Sequence, residues 1–101
     1  MDMINVMLKK PGAPWSPAKV ENRMESLQQL VGGYIEVLMT HRPDVALIVD
    51  EEGKLKGKAS NFLYFGDVIV GTAVLIGVDG EDFVDCPVTT DQELLQVVWG
   101  W

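Results

Sequence analysis

Residues 67–78 read DVIVGTAVLIGV, a long apolar run that is rich in β-branched side chains. Such a composition favours a buried β-strand, and a glycine inside a strand marks a place where the backbone bends or breaks. The run therefore predicts either one buried strand or two strand pieces that meet at Gly71. Asp79-Gly80 follows it as a typical hairpin turn, so residues 83–86 are predicted to return as a short strand.

Three further strands are predicted from short apolar segments, at residues 4–8, 34–39 and 45–49. The last two flank the turn His41-Arg42-Pro43-Asp44, and this arrangement predicts an antiparallel pair. The polar residues 50–54 are predicted to form another turn. Residues 55–64 are interpreted as a short helix or an irregular segment.

One helix is predicted to start at Ser16-Pro17, because serine is a favoured N-cap and proline a favoured first helical residue. Apolar residues then recur at the spacing of one helical face: Val20, Met24, Leu27, Leu30 and Val31. Gly32-Gly33 is predicted to end this helix, since glycine takes the left-handed conformation of a helix C-terminus without a steric penalty. A second, shorter helix is predicted to start at Thr89-Thr90.

This order of elements predicts one α+β domain over residues 1–101. The expected architecture is a single layer of mostly antiparallel sheet, with one main helix packed on it and a short C-terminal helix. A chain of 101 residues, of which 48% are hydrophobic, is long and apolar enough to bury one core.

The charge of the chain is unevenly distributed. All 8 Lys and Arg residues lie in residues 1–58, where 8 acidic residues balance them, whereas residues 59–101 hold 7 acidic residues and no Lys or Arg. The formal net charge of −7 therefore belongs to the second part of the chain. Nucleic-acid binders carry a basic stripe, and this chain has none beyond Lys54, Lys56 and Lys58. We therefore expect no binding to DNA or RNA.

The residues that enzymes use for nucleophilic or redox chemistry are scarce. The single His41 sits in a turn and is interpreted as a solvated side chain, and the single Cys86 precedes Pro87 and is interpreted as a small buried residue. Because neither has a partner at catalytic or metal-ligand spacing, we expect no enzymatic activity, no metal site and no cofactor. No apolar run reaches the roughly 18 residues of a membrane helix, so we expect no membrane insertion and a cytoplasmic location.

Four segments stand out together: residues 31–37 (VGGYIEV), residues 50–57 (DEEGKLKG), Asn61, and residues 67–77 (DVIVGTAVLIG). In this order they resemble an uncharacterised family carried by phages, plasmids and their bacterial hosts. The resemblance covers residues 19–85, and it implies a shared fold and a mobile-element setting. It implies no reaction, because none is established for the family.

The chain differs from the family pattern at two positions that matter for a possible ligand site. The family usually places Arg directly after the Asn, whereas this chain has Phe62 there. It commonly has Asn where this chain has Asp50. The first difference removes a positive charge beside Asn61 and weakens the case for an anionic ligand at that corner.

The segment Gly53-Lys54-Leu55-Lys56-Gly57-Lys58 is nevertheless the part of the chain best suited to an anionic small molecule. Backbone N–H groups in glycine-containing turns can cradle phosphate, and lysines add positive charge. If the segment is extended, alternation points Lys54, Lys56 and Lys58 the same way. We predict that an anionic ligand docks there, with Asn61 and Thr72 nearby. A flexible, solvated turn is the alternative interpretation.

Glu36 interrupts the otherwise apolar strand predicted at residues 34–39. Alternation would place it on a solvent face together with Tyr34 and Leu38. An exposed face with two large apolar side chains needs a covering element or a partner. Glu36 is therefore included among the candidate ligand-binding residues.

These observations leave three classes of function. The first is a non-enzymatic binding protein of a phage or other mobile element, which captures a small anionic, nucleotide-like host signal as a counter-defence sponge. The second is an inhibitor or adaptor that binds a host protein through apolar surface, such as the tail Trp99-Gly100-Trp101. The third is a mimic of DNA that uses the acidic second part of the chain. The surplus of apolar and aromatic residues also predicts a homo-oligomer, at least a dimer.

Overall fold

The computed structural model describes residues 2–98, so the aromatic tail named above lies outside the described residues. Within this range the structure has eight strands and two helices. In chain order they are β1 (Met3–Lys9), β2 (Ser16–Glu21), α1 (Met24–Val31), β3 (Ile35–Met39), β4 (Val45–Asp50), β5 (Ser60–Tyr64), β6 (Asp67–Val70), β7 (Ala73–Asp79), β8 (Asp82–Val84) and α2 (Asp91–Val98).

The main sheet has the strand order β2-β1-β7-β4-β3, and β8 pairs with the C-terminal part of β7. Every strand pair among the described residues is antiparallel, so the prediction of a mostly antiparallel α+β fold is confirmed. The long apolar run supplies the central strand β7. It breaks at Gly71, whose φ of 72° few residues other than glycine adopt, so the interpretation as two strand pieces is correct.

An apolar core lies on each face of this sheet. On one face α1 places Leu27 and Val31 against Ile48 of β4 and the strands beside it. On the other face α2 and the β5–β6 hairpin, which is a separate two-stranded sheet, cover a second cluster that includes Leu47 and Leu75. Because successive side chains of a strand point to opposite faces, β4 and β7 contribute side chains to both cores. All six residues of β4 are accordingly buried.

The predicted start of the first helix is wrong. The segment that begins at Ser16-Pro17 is the strand β2, which pairs with β1 in a register that sets Ile4 opposite Val20. The helix begins only at Met24 and ends, as predicted, at Gly32. Local sequence favoured a helix, but pairing with β1 extends the sheet and buries Val20, and this tertiary gain outweighs a weak local preference.

The interpretation of residues 55–64 is also wrong over its second half. Residues 60–64 form β5, which pairs with β6, and the register shifts between Ser60 and Phe62 as in a β-bulge. The layer over this face of the sheet is thus mainly a hairpin. The two helices have eight residues each, so α1 is not a longer main helix.

Candidate functional site

Asp50, the last residue of β4, is the centre of a buried ionic cluster. Its side chain is 1% exposed, and one carboxylate oxygen forms a salt bridge with Lys58 Nζ at 2.7 Å and accepts a hydrogen bond from Lys56 Nζ at 2.9 Å. The other oxygen accepts the backbone N–H of Glu52 at 2.9 Å. Burial alone would raise the pKa of Asp50, but the two lysines and the Glu52 N–H outweigh it and hold the pKa well below its usual range.

The same two lysines also hold the C-terminus of α1. Lys58 Nζ donates to the carbonyl of Val31 at 2.6 Å, and Lys56 Nζ donates to the carbonyl of Gly32 at 3.1 Å. Carbonyl groups at a helix C-terminus lack partners within the helix and attract positive charge. The cluster therefore joins α1, the end of β4 and the turn before β5. We call Asp50, Lys56 and Lys58 the ionic latch.

Three of the four segments that carry the family resemblance, at residues 31–37, 50–57 and 67–77, contact this latch. A Cβ atom at Gly33 would lie 2.5 Å from Lys56 Nζ and 2.7 Å from an Asp50 carboxylate oxygen, so a larger residue there would displace these side chains. Gly71, in the fourth segment, packs against the aliphatic part of Lys58. In this chain, Gly33 and Gly71 thus leave space for the side chains of the latch.

Asn61 has a structural role as well. Its amide donates to the carbonyl of Lys9 at 2.9 Å and to the carbonyl of Gly71 at 2.8 Å, and its side-chain oxygen accepts from the Lys9 ammonium. These bonds tie the bulge of β5 to the end of β1 and to the break between β6 and β7. Thr72, in that break, is half-buried. The side-chain bonds of Asn61 are thus directed to the protein itself.

Lys54 lies apart from the latch and pairs with Asp67 at the start of β6. Residues 51–57 form turns, not an extended strand, so alternation does not align the three lysines. The structure brings Lys56 and Lys58 together on Asp50 but leaves Lys54 on the far side of the turn. Each of the three predicted anion-binding lysines therefore contacts a carboxylate of the chain.

A groove of about 200 Å³ lies between the edge strand β3 and β6. It is lined by Glu36, Leu38, Val49, Asp50, Glu51, Lys54, Leu55, Asp67, Val68, Ile69 and Val70. Tyr34 and Glu36 are exposed as predicted, whereas Leu38 is half-buried against the core beneath the hairpin. Leu38 therefore departs from the expected solvent face because the β5–β6 hairpin covers it.

The charge of this groove is negative. Apart from Asp50, whose charge the latch satisfies, its walls carry the carboxylates of Glu36, Glu51 and Asp67 and the ammonium of Lys54. Hydrogen bonding by Lys54 lowers the pKa of Asp67, which keeps that carboxylate ionised. A cationic group fits this field better than an anion does.

An exposed apolar surface borders the groove. The outer face of the hairpin carries Leu63 and Val68, which are directly paired across the two strands. Leu55, at the rim of the groove, is 86% exposed, Leu63 is 58% exposed, and Phe65 at the hairpin tip is 61% exposed. We call Leu55, Leu63, Phe65 and Val68 the hairpin patch. Exposed apolar side chains that lie side by side, as Leu63 and Val68 do, mark interaction sites.

The tip of the hairpin has an unusual backbone. Phe65 and Gly66 connect Tyr64 to Asp67 and have φ values of 49° and 78°, the signs of a type I′ turn. Asn or Gly normally occupies the first of these positions, because a left-handed conformation is unfavourable for a residue with a bulky side chain. The Phe65 ring packs edge-on against Tyr64 at a centroid distance of 4.7 Å. The chain thus presents an aromatic ring at a site of backbone strain.

The single histidine and the single cysteine of the chain do not line the groove and are not part of the hairpin patch. Cys86 is buried, its thiol donates to the carbonyl of Val88 at 3.6 Å, and burial raises the pKa of that thiol. His41 is exposed in the β3–β4 turn. Among residues 2–98, no three His, Cys, Asp or Glu side chains cluster in a way that could hold a metal ion. Neither α1 nor α2 is long and apolar enough to cross a membrane.

Sequence reasoning missed the hairpin patch. Phe65-Gly66 does not match the Asn-Gly or Asp-Gly pattern that signals a two-residue hairpin turn. The local pattern therefore does not predict a hairpin over residues 60–70. A signal was available in Phe62-Leu63-Tyr64-Phe65, four consecutive apolar or aromatic residues before a glycine. Alternation over these residues would have placed Leu63 on the outer face.

The fold and its surfaces define a small acidic α+β protein built around an ionic latch, with an exposed apolar hairpin. Residues 4–97 match the family model described as a domain of unknown function, DUF3846, and the chain belongs to this family. Comparison with curated proteins and with solved structures found no match in either set.

Proposed function

We propose that this protein is a non-enzymatic binding protein that captures another protein through the hairpin patch. The observation that carries the proposal is the exposed Phe65, which is held in a left-handed conformation at the tip of a hairpin whose outer face is apolar. Backbone strain persists only where the rest of the fold enforces it, and it clusters at functional sites. Aromatic side chains, Phe among them, are enriched in protein–protein interfaces relative to the rest of the surface.

The charge beside the patch indicates the chemistry of the partner. The groove next to Leu55 and Val68 carries three carboxylates and one ammonium besides the latch. A partner that offers an apolar pocket for Phe65, with Lys or Arg at the rim, would be complementary in both shape and charge. Like charges elsewhere on this acidic chain would disfavour acidic partners.

The capture of a small anionic signal, the sponge hypothesis, is the second candidate. It is favoured by one observation, the presence of Lys54 in a groove of about 200 Å³. Small-molecule pockets typically enclose about 300–1,000 Å³, so a dinucleotide would need a site completed by a second copy. Binding would also require Lys54 to leave Asp67. The net negative charge of the groove makes this the weaker candidate.

The test of the proposal is affinity capture from a bacterial lysate with quantitative mass spectrometry. Tagged wild-type protein is compared with a Leu63→Ser, Phe65→Asn double variant and with a Met24→Ser control. Met24 is 49% exposed and lies on α1, on the other side of the main sheet. We expect one protein to be retained by the wild type and the control and lost with the double variant. Equal recovery by all three proteins would contradict the proposal.

Calorimetric titration separates the two candidates. Cyclic and linear nucleotides are added to the wild type, to Lys54→Ala and to Lys10→Ala, which removes an exposed lysine from the loop after β1. If the protein captures another protein, none of these three forms should bind a nucleotide. Stoichiometric nucleotide binding that is lost only in Lys54→Ala would favour the sponge hypothesis instead.

We further propose that the protein acts in the cytoplasm of the bacterial host of a phage or other mobile element. This setting rests on the family resemblance of the four segments at residues 31–37, 50–57, 61 and 67–77. A binding protein without catalytic groups acts in proportion to its amount. The homo-oligomer expected from the sequence would raise its avidity by placing several patches on one assembly.

A further inference from the structure

The outer edge of β3 is unpaired in the part of the chain that the structure describes. Proteins commonly protect such an edge with Lys, with Pro or with a bulge. The opposite edge strand, β2, carries both Pro17 and Lys19. By contrast, β3 reads IEVLM and keeps a continuous register against β4. The β2 edge is therefore protected by Pro17 and Lys19, whereas the β3 edge has Glu36 as its one charged residue and is otherwise apolar.

The hydrogen bonds to β4 determine which backbone groups of β3 point outward. Glu51 donates its N–H to the Tyr34 carbonyl at 2.9 Å, and Thr40 donates its N–H to the Val45 carbonyl at 3.4 Å. Hydrogen-bonded and non-bonded pairs alternate along an antiparallel ladder. The even-numbered residues between 34 and 40 therefore bond to β4, and the odd-numbered ones direct their N–H and C=O groups away from it.

The outward backbone groups thus belong to Ile35, Val37 and Met39. The side chains of Val37 and Met39 are 44% and 54% exposed, and they lie on the α1 side of the sheet. An incoming strand would pair with these backbone groups and cover both side chains. Both the backbone groups and the apolar side chains of this edge are therefore available to a strand partner.

We propose that β3 pairs antiparallel with β3 of a second copy, with the two-fold axis at Val37. In this register Val37 lies opposite Val37, and Ile35 lies opposite Met39 of the second copy. Each of these pairs joins two residues with outward backbone groups, so each exchanges two hydrogen bonds. Glu36 then faces Leu38 of the second copy, and no carboxylates are opposed.

Other registers are less favourable for the same strand. An axis at Glu36 would place two carboxylates directly opposite each other, which is destabilising. An axis at any other residue would leave part of β3 without a partner residue. The sequence is therefore self-complementary in one register, as a two-fold interface requires.

This pairing has a consequence for the groove. Glu36 and Leu38 lie on the groove side of the sheet, and a two-fold axis perpendicular to the sheet keeps both grooves on the same side. The dimer would present two hairpin patches in one direction. The dimer does not depend on the proposed capture of a protein, because β3 and the patch are separate surfaces.

The test is the mass of the protein in solution, measured by light scattering and sedimentation at micromolar concentration. We expect the wild type to be a dimer and Val37→Lys, which opposes two charges at the axis, to be a monomer. Val37→Pro should also lose the dimer, because it removes an N–H that points outward and no bond to β4. Val37→Thr, which keeps the N–H and the β-branched shape, should remain dimeric.

A disulfide experiment tests the register directly. Residues 36 and 38 of two copies would form a non-hydrogen-bonded pair with Cα atoms about 4.5 Å apart, which a disulfide can bridge. A mixture of Glu36→Cys and Leu38→Cys chains should therefore cross-link on oxidation, and Glu36→Cys alone should not. Circular dichroism confirms that each variant is folded. A monomeric wild type, a dimer that survives Val37→Lys, or cross-linking of Glu36→Cys alone would each overturn the proposal.

Discussion

Asp50 shows how one buried carboxylate can organise distant parts of a chain. It contacts Lys56 and Lys58, which in turn bond to the last carbonyls of α1. Replacing both members of a buried ion pair by apolar residues often costs little stability. Removing only one member is strongly destabilising, because it leaves a buried charge without a partner. The latch should therefore respond strongly to single substitutions, and surface pairs should not.

Lys58→Met should lower the free energy of unfolding by about 3 kcal/mol, because it leaves a buried carboxylate with one cation and a helix carbonyl without its donor. Lys54→Met is the matched control. Lys54 and Asp67 are both more than half exposed, so their pair contributes about 1 kcal/mol or less. Urea unfolding of both variants measures the difference. Equal losses would show that the latch does not stabilise the fold.

The stability of the protein should fall in acid partly through Asp50. Its pKa in the folded state is depressed below the value of about 3.9 expected in the unfolded chain. Its stabilising contribution is therefore complete above pH of about 4 and is lost as pH falls toward the folded-state pKa. Asp50→Asn should be less stable than the wild type at neutral pH, and the gap should narrow between pH 5 and pH 2. A gap that stays constant over this range would contradict the assignment.

Leu27 is 1% exposed at the centre of the α1 core face. Leu27→Ala should destabilise the protein by roughly 2–5 kcal/mol, through lost transfer energy and the cavity that remains. Met24→Ala, at the half-exposed first residue of the same helix, should change the stability by about 0.5 kcal/mol or less. Chemical denaturation distinguishes the two. A loss below about 1 kcal/mol for Leu27→Ala would mean that the helix face is wrongly assigned.

At the scale of elements, the β5–β6 hairpin combines local strain with exposure. Phe65→Asn should relieve about 1 kcal/mol of left-handed strain and lose a similar contribution from the contact with Tyr64. Its free energy of unfolding should therefore stay within about 1 kcal/mol of the wild type. Thermal unfolding of the two proteins checks this. A large loss of stability would show that Phe65 is needed for the fold and would weaken its assignment to binding.

Elements whose pattern is set by burial could be predicted from the sequence. The strand that breaks at Gly71 and the helix end at Gly32 were predicted because apolar runs and glycines act locally. The strand β2 was predicted as a helix, because Ser16-Pro17 is a helix start by local criteria and the need of β1 for a partner is not local. The same limit applies to β5, whose pairing with β6 depends on the turn at Phe65.

The candidate site was predicted only in part, for a related reason. The positive charge of Lys54, Lys56 and Lys58 is visible in the sequence, but the carboxylates that bind them are brought close by the fold. Asp50 reaches Lys56 and Lys58 because the chain turns back after β4, and Asp67 reaches Lys54 across the groove. In the sequence alone the basic segment therefore resembles an anion-binding site. In the folded protein its lysines are already paired with carboxylates of the chain.

At the scale of the whole molecule, charge and apolar surface are arranged together. The acidic residues that give the chain a net charge of −7 include Asp67, which follows the turn at the hairpin tip. A charged surround keeps such an exposed patch soluble and steers a basic partner toward it. Association should therefore be faster at low ionic strength.

The assignment of the hairpin patch as the binding surface is tested most directly with the purified partner. Its affinity is measured for three forms of this protein. The wild type and Met24→Ser should bind the partner equally well. The Leu63→Ser, Phe65→Asn double variant should bind about 30-fold more weakly or worse, equivalent to the roughly 2 kcal/mol that defines a hot spot. Equal affinity for all three folded proteins would contradict the assignment of the hairpin patch as the binding surface.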